Sequence, residues 1–340
     1  MNKPMAGLFA VTALGAAAMA GSALAQAEYT LRWGHYLPDT EYVQVEKDFA
    51  QAVEERTNGR VDIETVYSGG LGKGNEIMTL AGRGAIDMAS VVPGYYPDQL
   101  LFWKVYQIPF VFDSPRQAIE VSAAAYEALP VFQEELDKYR VRFLFHQPLG
   151  SYNLTGPDEN CDTVEALAGK KIRSFGADIP KAIEAIGAVP VSVGVGEVYE
   201  ALQRGTLDYS FLNYGNILSN RLHEVGKYTC GPVMSIAGHM IVIGQGTWDR
   251  LPEDIQQIIL EEAEKAGKAY IDDIDRLEEE SAAQIEAEGG VIKPIPEAEM
   301  AKWHEAAPDL LQQWVDSMEE RGEGERAREV ADFIREQAGS

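Results

Sequence analysis

The side chains best suited to chemistry are scattered along this sequence and form no reaction motif. Five histidines, His35, His146, His223, His239 and His304, lack metal-ligand spacing, and no H-E-x-x-H helix occurs. The acidic runs Glu261-Glu262 and Glu278–Glu280 fall on helical stretches and read as solvated faces, not as paired catalytic carboxylates. There is no G-x-S-x-G nucleophile turn. Gly69 to Gly74 is glycine-rich, but Lys73 is followed by Gly74 and Asn75, so the hydroxyl of a phosphate-binding loop is missing. That run reads as a flexible strand-to-helix turn. Asn153-Leu154-Thr155 fits a glycosylation sequon and is taken as chance, because the leader looks bacterial. No cofactor or metal is expected, and the chain is expected not to be an enzyme. Two cysteines, Cys161 and Cys230, form either one disulfide, as an even count in an exported chain suggests, or two buried thiols. Lys170, Lys171 and Arg173 cluster on one short strand, and from the residues alone they read as a surface strand.

The elements that would carry these groups follow from composition and periodicity. The 340 residues include 54 acidic and 29 basic side chains, a formal net charge of −25. Such an acid excess argues against nucleic acid or an anionic membrane as partner. A hydrophobic fraction of 46% is enough for a real core. Residues 1–25 combine Lys3, an apolar run from Ala6 to Ala20 and the A-x-A site Ala23-Leu24-Ala25, which together read as a cleaved secretory signal. After it come strand 29–36, helix 42–56, strand 61–67, helix 75–82 and strand 86–92, an α/β opening with a parallel sheet. A second α/β unit follows, with strands at 141–147, 171–173, 190–195 and 207–212 and helices at 178–186 and 197–204. Strand 240–243, one long acidic helix over 252–288, strand 291–295 and two closing helices complete the chain. With no Pro/Gly/Ser-rich linker, the chain is expected to cross between two lobes more than once, leaving a cleft for a ligand.

Residues 164–213 carry the most specific signal. They contain Leu167-Ala168-Gly169-Lys170-Lys171-Ile172-Arg173, Gly187-Ala188-Val189-Pro190-Val191, Glu197-Val198-Tyr199-Glu200-Ala201-Leu202-Gln203 and Gly205-Thr206-Leu207-Asp208. Together with Ile108-Pro109-Phe110 and Trp248-Asp249-Arg250-Leu251-Pro252-Glu253, this stretch resembles the DctP family, the periplasmic solute-binding proteins of TRAP transporters. The similarity runs in order along nearly the whole mature chain.

The resemblance implies a two-lobed, periplasmic-binding-protein-like α/β fold with hinge strands and a helix spanning both lobes. On that basis lobe I opens with 26–148, lobe II takes 149–238, and 239–340 returns to lobe I with the long helix and the C-terminal helices. It further implies a periplasmic monomer that captures a small organic acid and delivers it to a TRAP membrane permease driven by an ion gradient. An ABC-type binding protein or a sensor-associated receptor would share the fold. The family's carboxylate-clamping arginine falls on Arg173, whose planar fork of donors matches a carboxylate in two hydrogen bonds. Other pocket candidates are Tyr36 beside His35, Tyr95 and Tyr96 after Val92, Tyr152, Phe175, Phe211, Asn213 and Tyr214. Aromatic walls and little further charge favour a monocarboxylate with an apolar or aromatic body over a dicarboxylate.

Overall fold

The computed structural model describes residues 27–147 and 149–339, so the expected signal peptide lies outside the described residues. The chain opens with β1 (Tyr29–Gly34), α1 (Gln44–Arg56), β2 (Val61–Val66), α2 (Ile77–Gly82) and β3 (Met88–Val91). Next come α3 (Pro115–Ala128), α4 (Val131–Lys138) and β4 (Val141–His146). Local chemistry fixes the boundaries of these elements. Asn58 and Gly59 adopt positive φ after Thr57 and reverse the chain beyond α1. Ser114 accepts a hydrogen bond from the Gln117 amide with Pro115 in the first turn of α3, a paired helix-start signal.

The middle of the chain holds β5 (Tyr152–Gly156), α5 (Val164–Leu167), β6 (Lys171–Ser174), α6 (Ile179–Ala185) and β7 (Val189–Ser192). It continues through α7 (Val198–Gln203), β8 (Ser210–Leu212), α8 (Tyr214–Ser219) and β9 (Tyr228–Met234). The last part contains β10 (Met240–Gly244), α9 (Gln245–Trp248), α10 (Glu253–Ala287), β11 (Val291–Pro294), α11 (Glu297–Ala306), α12 (Leu310–Glu319) and α13 (Gly324–Ala338). Three helices close the chain where the periodicity predicts two.

Two sheets define two lobes. The first has the order β2-β1-β3-β10-β4, with β1 parallel to β2 and β3 and β10 antiparallel to β3 and β4. The second has the order β11-β9-β5-β8, and β6 with its parallel partner β7 continues it through a bridge between Ile172 and Tyr209. Cys161 and Cys230 are bridged, with Cα atoms 5.7 Å apart, and tie the loop after β5 to β9. Asn153 of the sequon is 1% exposed on β5, where no glycan could be attached.

The chain crosses between the sheets from β4 to β5, from β9 to β10 and again along α10. The crossing segments touch closely: a Cβ on Gly238 would lie 1.9 Å from the Gln147 carbonyl oxygen. At 35 residues α10 is ~50 Å long. Ile255, Ile259, Ala263, Ala266 and Tyr270 pack on the first lobe, and Ile285 packs in the core of the second. The return of 239–340 is divided between the lobes. β11 pairs with β9 in the second sheet, and Trp303 of α11 donates to the Ala182 carbonyl of α6. Only α12 and α13 go back to the first lobe, where Trp314 donates to the Leu101 carbonyl.

Candidate functional site

β6 is a short strand with one charged side chain turned inward. The Arg173 amide donates to the Tyr209 carbonyl, which sets the strand against the start of β8. Its guanidinium is then 1% exposed. Nε donates to the Val193 carbonyl at 3.0 Å, Nη1 to the Phe211 carbonyl at 3.2 Å and Nη2 to the Tyr95 hydroxyl at 3.2 Å. The Phe175 ring lies 4.9 Å below the cation. An arginine has five N–H donors, so these three bonds leave two on the Nη nitrogens, with the Tyr152 hydroxyl beside the guanidinium. Among the described residues no carboxylate pairs with this cation, whereas the adjacent Lys170 is engaged by Asp158 and Lys171 by the Gly205 carbonyl. The trio expected to share a surface strand is thus split: two lysines face outward and the arginine faces the boundary between the lobes.

Aromatic rings surround that boundary. Tyr36 meets Tyr95 edge-on at 6.0 Å, Tyr95 meets Phe175 at 5.4 Å, and Tyr152 lies 6.3 Å from Phe175. Tyr36 and Tyr95 come from the first lobe, Tyr152, Arg173 and Phe175 from the second, so the Arg173–Tyr95 hydrogen bond spans the gap. Burial raises the Tyr152 phenol above its ordinary pKa, while the Arg173 cation beside it pulls the other way. The glycine run expected to be a plain turn forms part of the wall. A Cβ on Gly74 would sit 3.0 Å from the Tyr95 ring, and one on Gly94 would sit 3.1 Å from Phe175. Tyr96 turns away into the first-lobe core, where its hydroxyl accepts from the Met78 amide.

Three further candidates are placed elsewhere. The Phe211 side chain packs on Trp303, 6.0 Å away, and only its carbonyl reaches Arg173. Successive side chains on a strand point to opposite faces, which is why Phe211 cannot line the same wall as its neighbours. Asn213 donates to the Tyr42 hydroxyl and to Glu278, and accepts from Asn216, so its amide is committed to structure. Tyr214 lies along α10, its phenol raised to about 12 by burial and by Glu278 and Glu286. The Glu278 carboxylate also accepts from the Tyr214 and Gly215 amides, which latches the long helix to the second lobe.

A buried polar cluster that sequence spacing did not reveal backs the wall. Glu46 of α1 is 1% exposed and accepts from His35 Nε2 at 2.8 Å, His239 Nε2 at 2.9 Å and the Tyr270 hydroxyl at 2.9 Å. These imidazoles hold the Glu46 carboxyl well below the usual carboxylate range despite its burial. The partners are 11, 193 and 224 residues away in the chain, so no local pattern exposes them. The trio His35, Glu46 and His239 has a donor set that a metal could use. The Leu37 amide, however, donates to His35 Nδ1 at 3.0 Å. That leaves the ring proton on Nε2, the atom a metal would need, so the cluster fits a hydrogen-bonded network and not an ion. A second buried pair, Ser122 and His146 at 2.9 Å, resembles a nucleophile with its base. Burial among Trp103 and Phe143 drives that imidazole down to about 3, and its Nε2 has no acidic partner among the described residues. Among the described residues it supplies no triad.

Comparison with known proteins gives the family and the fold. The model of the bacterial extracellular solute-binding protein family 7, DctP, matches residues 34–317. The C4-dicarboxylate-binding periplasmic protein of Rhodobacter capsulatus is 26% identical over 286 residues, covering 81% of this chain and 83% of that protein. A TRAP periplasmic solute-binding protein from Roseobacter denitrificans, solved with bound β-D-glucuronate, superposes with a TM-score of 0.80 at 20% identity, covering 90% of this chain and 99% of that one. A TRAP solute-binding protein from Rhodoferax ferrireducens, solved with copurified benzoate, gives 0.81 at 20% identity, covering 91% and 97%.

Proposed function

The chain belongs to the bacterial extracellular solute-binding proteins of family 7, and from that footing we propose that it is the periplasmic receptor of a TRAP-type secondary transporter, holding a small monocarboxylate between its lobes. The single observation that carries this reading is Arg173: a guanidinium 1% exposed, without a carboxylate partner among the described residues, held by the Val193 and Phe211 carbonyls and the Tyr95 hydroxyl. Taking such a cation out of water costs several kcal/mol unless an anion joins it. A ligand carboxylate supplies the anion and accepts both remaining donors. Tyr36, Tyr95, Tyr152 and Phe175 then cover the ligand body, which favours an apolar or aromatic acid; the benzoate and uronate bound by structural relatives are compatible with such a site. The ligand leaves unchanged, passed to the membrane subunits of the transporter. Lobe I comprises 27–147, 239–270 and 310–339, lobe II comprises 149–238 with 285–306, and the middle of α10 joins the two. The signal peptide at 1–25 directs the chain to the periplasm.

A thermal-shift screen of organic acids tests the reading. A binding acid should raise the midpoint, and Arg173→Ala should remove that rise while keeping the circular-dichroism spectrum of the parent. A hit of equal affinity in the variant would overturn the clamp.

A further inference from the structure

Tyr95 is carried by a short turn, Pro93–Tyr95, that one buried amide holds from behind. Gln107 ends the turn Trp103–Gln107 and is 4% exposed. Its Oε1 accepts from the Gly94 amide, and its Nε2 donates to the Ala237 carbonyl at 3.1 Å and the Gly238 carbonyl at 3.2 Å. A backbone N–H can only donate and a carbonyl can only accept, so these partners fix which end of the side chain is oxygen and which is nitrogen. The Ala237 amide in turn donates to the Tyr106 carbonyl at 2.8 Å. Residues 106 and 107 are thereby bonded to the segment that returns the chain from β9 to β10. The two strand crossings meet at that segment: the Gln147 amide donates to the His239 carbonyl at 2.9 Å, and the Gln147 carbonyl lies against Gly238. On its other side the Gly94 turn touches the second lobe. A Cβ on Gly94 would lie 2.6 Å from Gln107 Oε1 and 3.1 Å from the Phe175 ring, and a Cβ on Gly176 would lie 3.4 Å from the Gly94 carbonyl oxygen. One side chain thus joins the crossing strands to the turn whose Tyr95 hydroxyl meets Arg173 at 3.2 Å.

Resting on the carboxylate clamp above, we propose that Gln107 is a positioning residue of that clamp. It keys the Pro93–Tyr95 turn to the crossing at Ala237–Gly238, so that the Tyr95 hydroxyl reaches Arg173 only when the lobes stand at one angle. Gln107 touches no ligand and acts through Tyr95. An apolar side chain in its place removes the acceptor from the Gly94 amide and the donor from both carbonyls, which frees the turn from the crossing strands. Lobe closure and the placing of the Tyr95 hydroxyl are then no longer one motion.

Inter-lobe distances measure this in the full chain without added ligand. Spin labels at Glu127→Cys of α3 and Arg204→Cys at the end of α7, both exposed positions, report the separation of the lobes by pulsed electron paramagnetic resonance; the native cysteines are bridged to each other and stay unlabelled. Tyr95→Phe and Arg173→Ala, which remove the inter-lobe bond itself, should each raise the ratio of long to short separations about fivefold, the equivalent of one hydrogen bond. Gln107→Leu should raise it as far as Tyr95→Phe does, and adding Gln107→Leu to Tyr95→Phe should raise it no further, because both act on one contact. Gln107→Glu keeps an acceptor for the Gly94 amide and loses the donor to the crossing strands. It should match Gln107→Leu at pH 8, and it carries the test if the apolar variant does not fold. Wild-type distances in the Gln107 variants, effects of Gln107→Leu and Tyr95→Phe that add in full, or distances that none of these changes moves would each overturn the inference. The thermal-shift screen with Arg173→Ala judges the clamp on its own, whatever the Gln107 variants show.

Discussion

Arg173 has carbonyls, a phenol and an aromatic ring for company where many arginines of this chain have carboxylates. Arg56, for example, sits between Glu261 and Glu262 at the surface. Exposed pairs of that kind contribute little, whereas a hydrogen-bonded charge in a dry crevice contributes ~1.5–3 kcal/mol per bond. Geometry matters as much as charge, because a lysine supplies a point cation without the fork. Arg173→Lys is therefore expected to weaken binding of the natural acid at least tenfold in titration calorimetry; equal affinity would mean that the fork is not used. The position of Arg173 was legible in its sequence motif. The fate of its neighbours was less so: Phe211 looked like a wall residue because its place on an alternating strand is only settled once Trp303 of a distant helix is known to fill the other face. The Glu46 cluster was illegible for a similar reason, since His35 and His239 meet only when β1 and the crossing before β10 are side by side.

Long-range pairing also explains which elements the sequence revealed. Helix α10 was plain from its periodic Ile255, Ile259, Ala263 and Ala266, and the glycine stops at Gly59, Gly187 and Gly205 marked three element ends. The side of the molecule on which β11 would pair was not encoded in its own four residues; it is set by β9, more than fifty residues earlier. The latch between α10 and the second lobe makes a pH prediction. Burial raises the Glu278 carboxyl to about 7 in the folded chain, above its ordinary value of 4.5. Between those two values the folded state binds the extra proton, so this group's contribution is full at low pH and is lost as pH rises toward 7. Glu278→Gln, which mimics the protonated form, should gain in melting temperature relative to the wild type on going from pH 5 to pH 8, by a few degrees. A difference in melting temperature that is the same at both pH values would show that the carboxyl titrates normally.

The whole molecule carries a net charge of −25 and yet is proposed to take up an anion. The field of that charge opposes the approach of the ligand over a screening length of ~10 Å at 0.1 M salt and ~30 Å at 0.01 M. Capture within the closed crevice depends on the local cation and is screened far less. Raising the ionic strength from 0.01 to 0.3 M should consequently speed association in stopped-flow fluorescence while changing the dissociation rate little. An association rate that falls with salt would mean that a cationic funnel, not the local clamp, brings the ligand in. The account rests most heavily on one charge meeting another between the lobes. Calorimetric titration of the acid carried through purification, set beside its primary amide, measures that meeting directly. The acid should bind at least a hundredfold tighter than the neutral amide in the wild type, and an amide that binds as tightly as the acid would contradict the assignment of Arg173 as the group that holds the ligand.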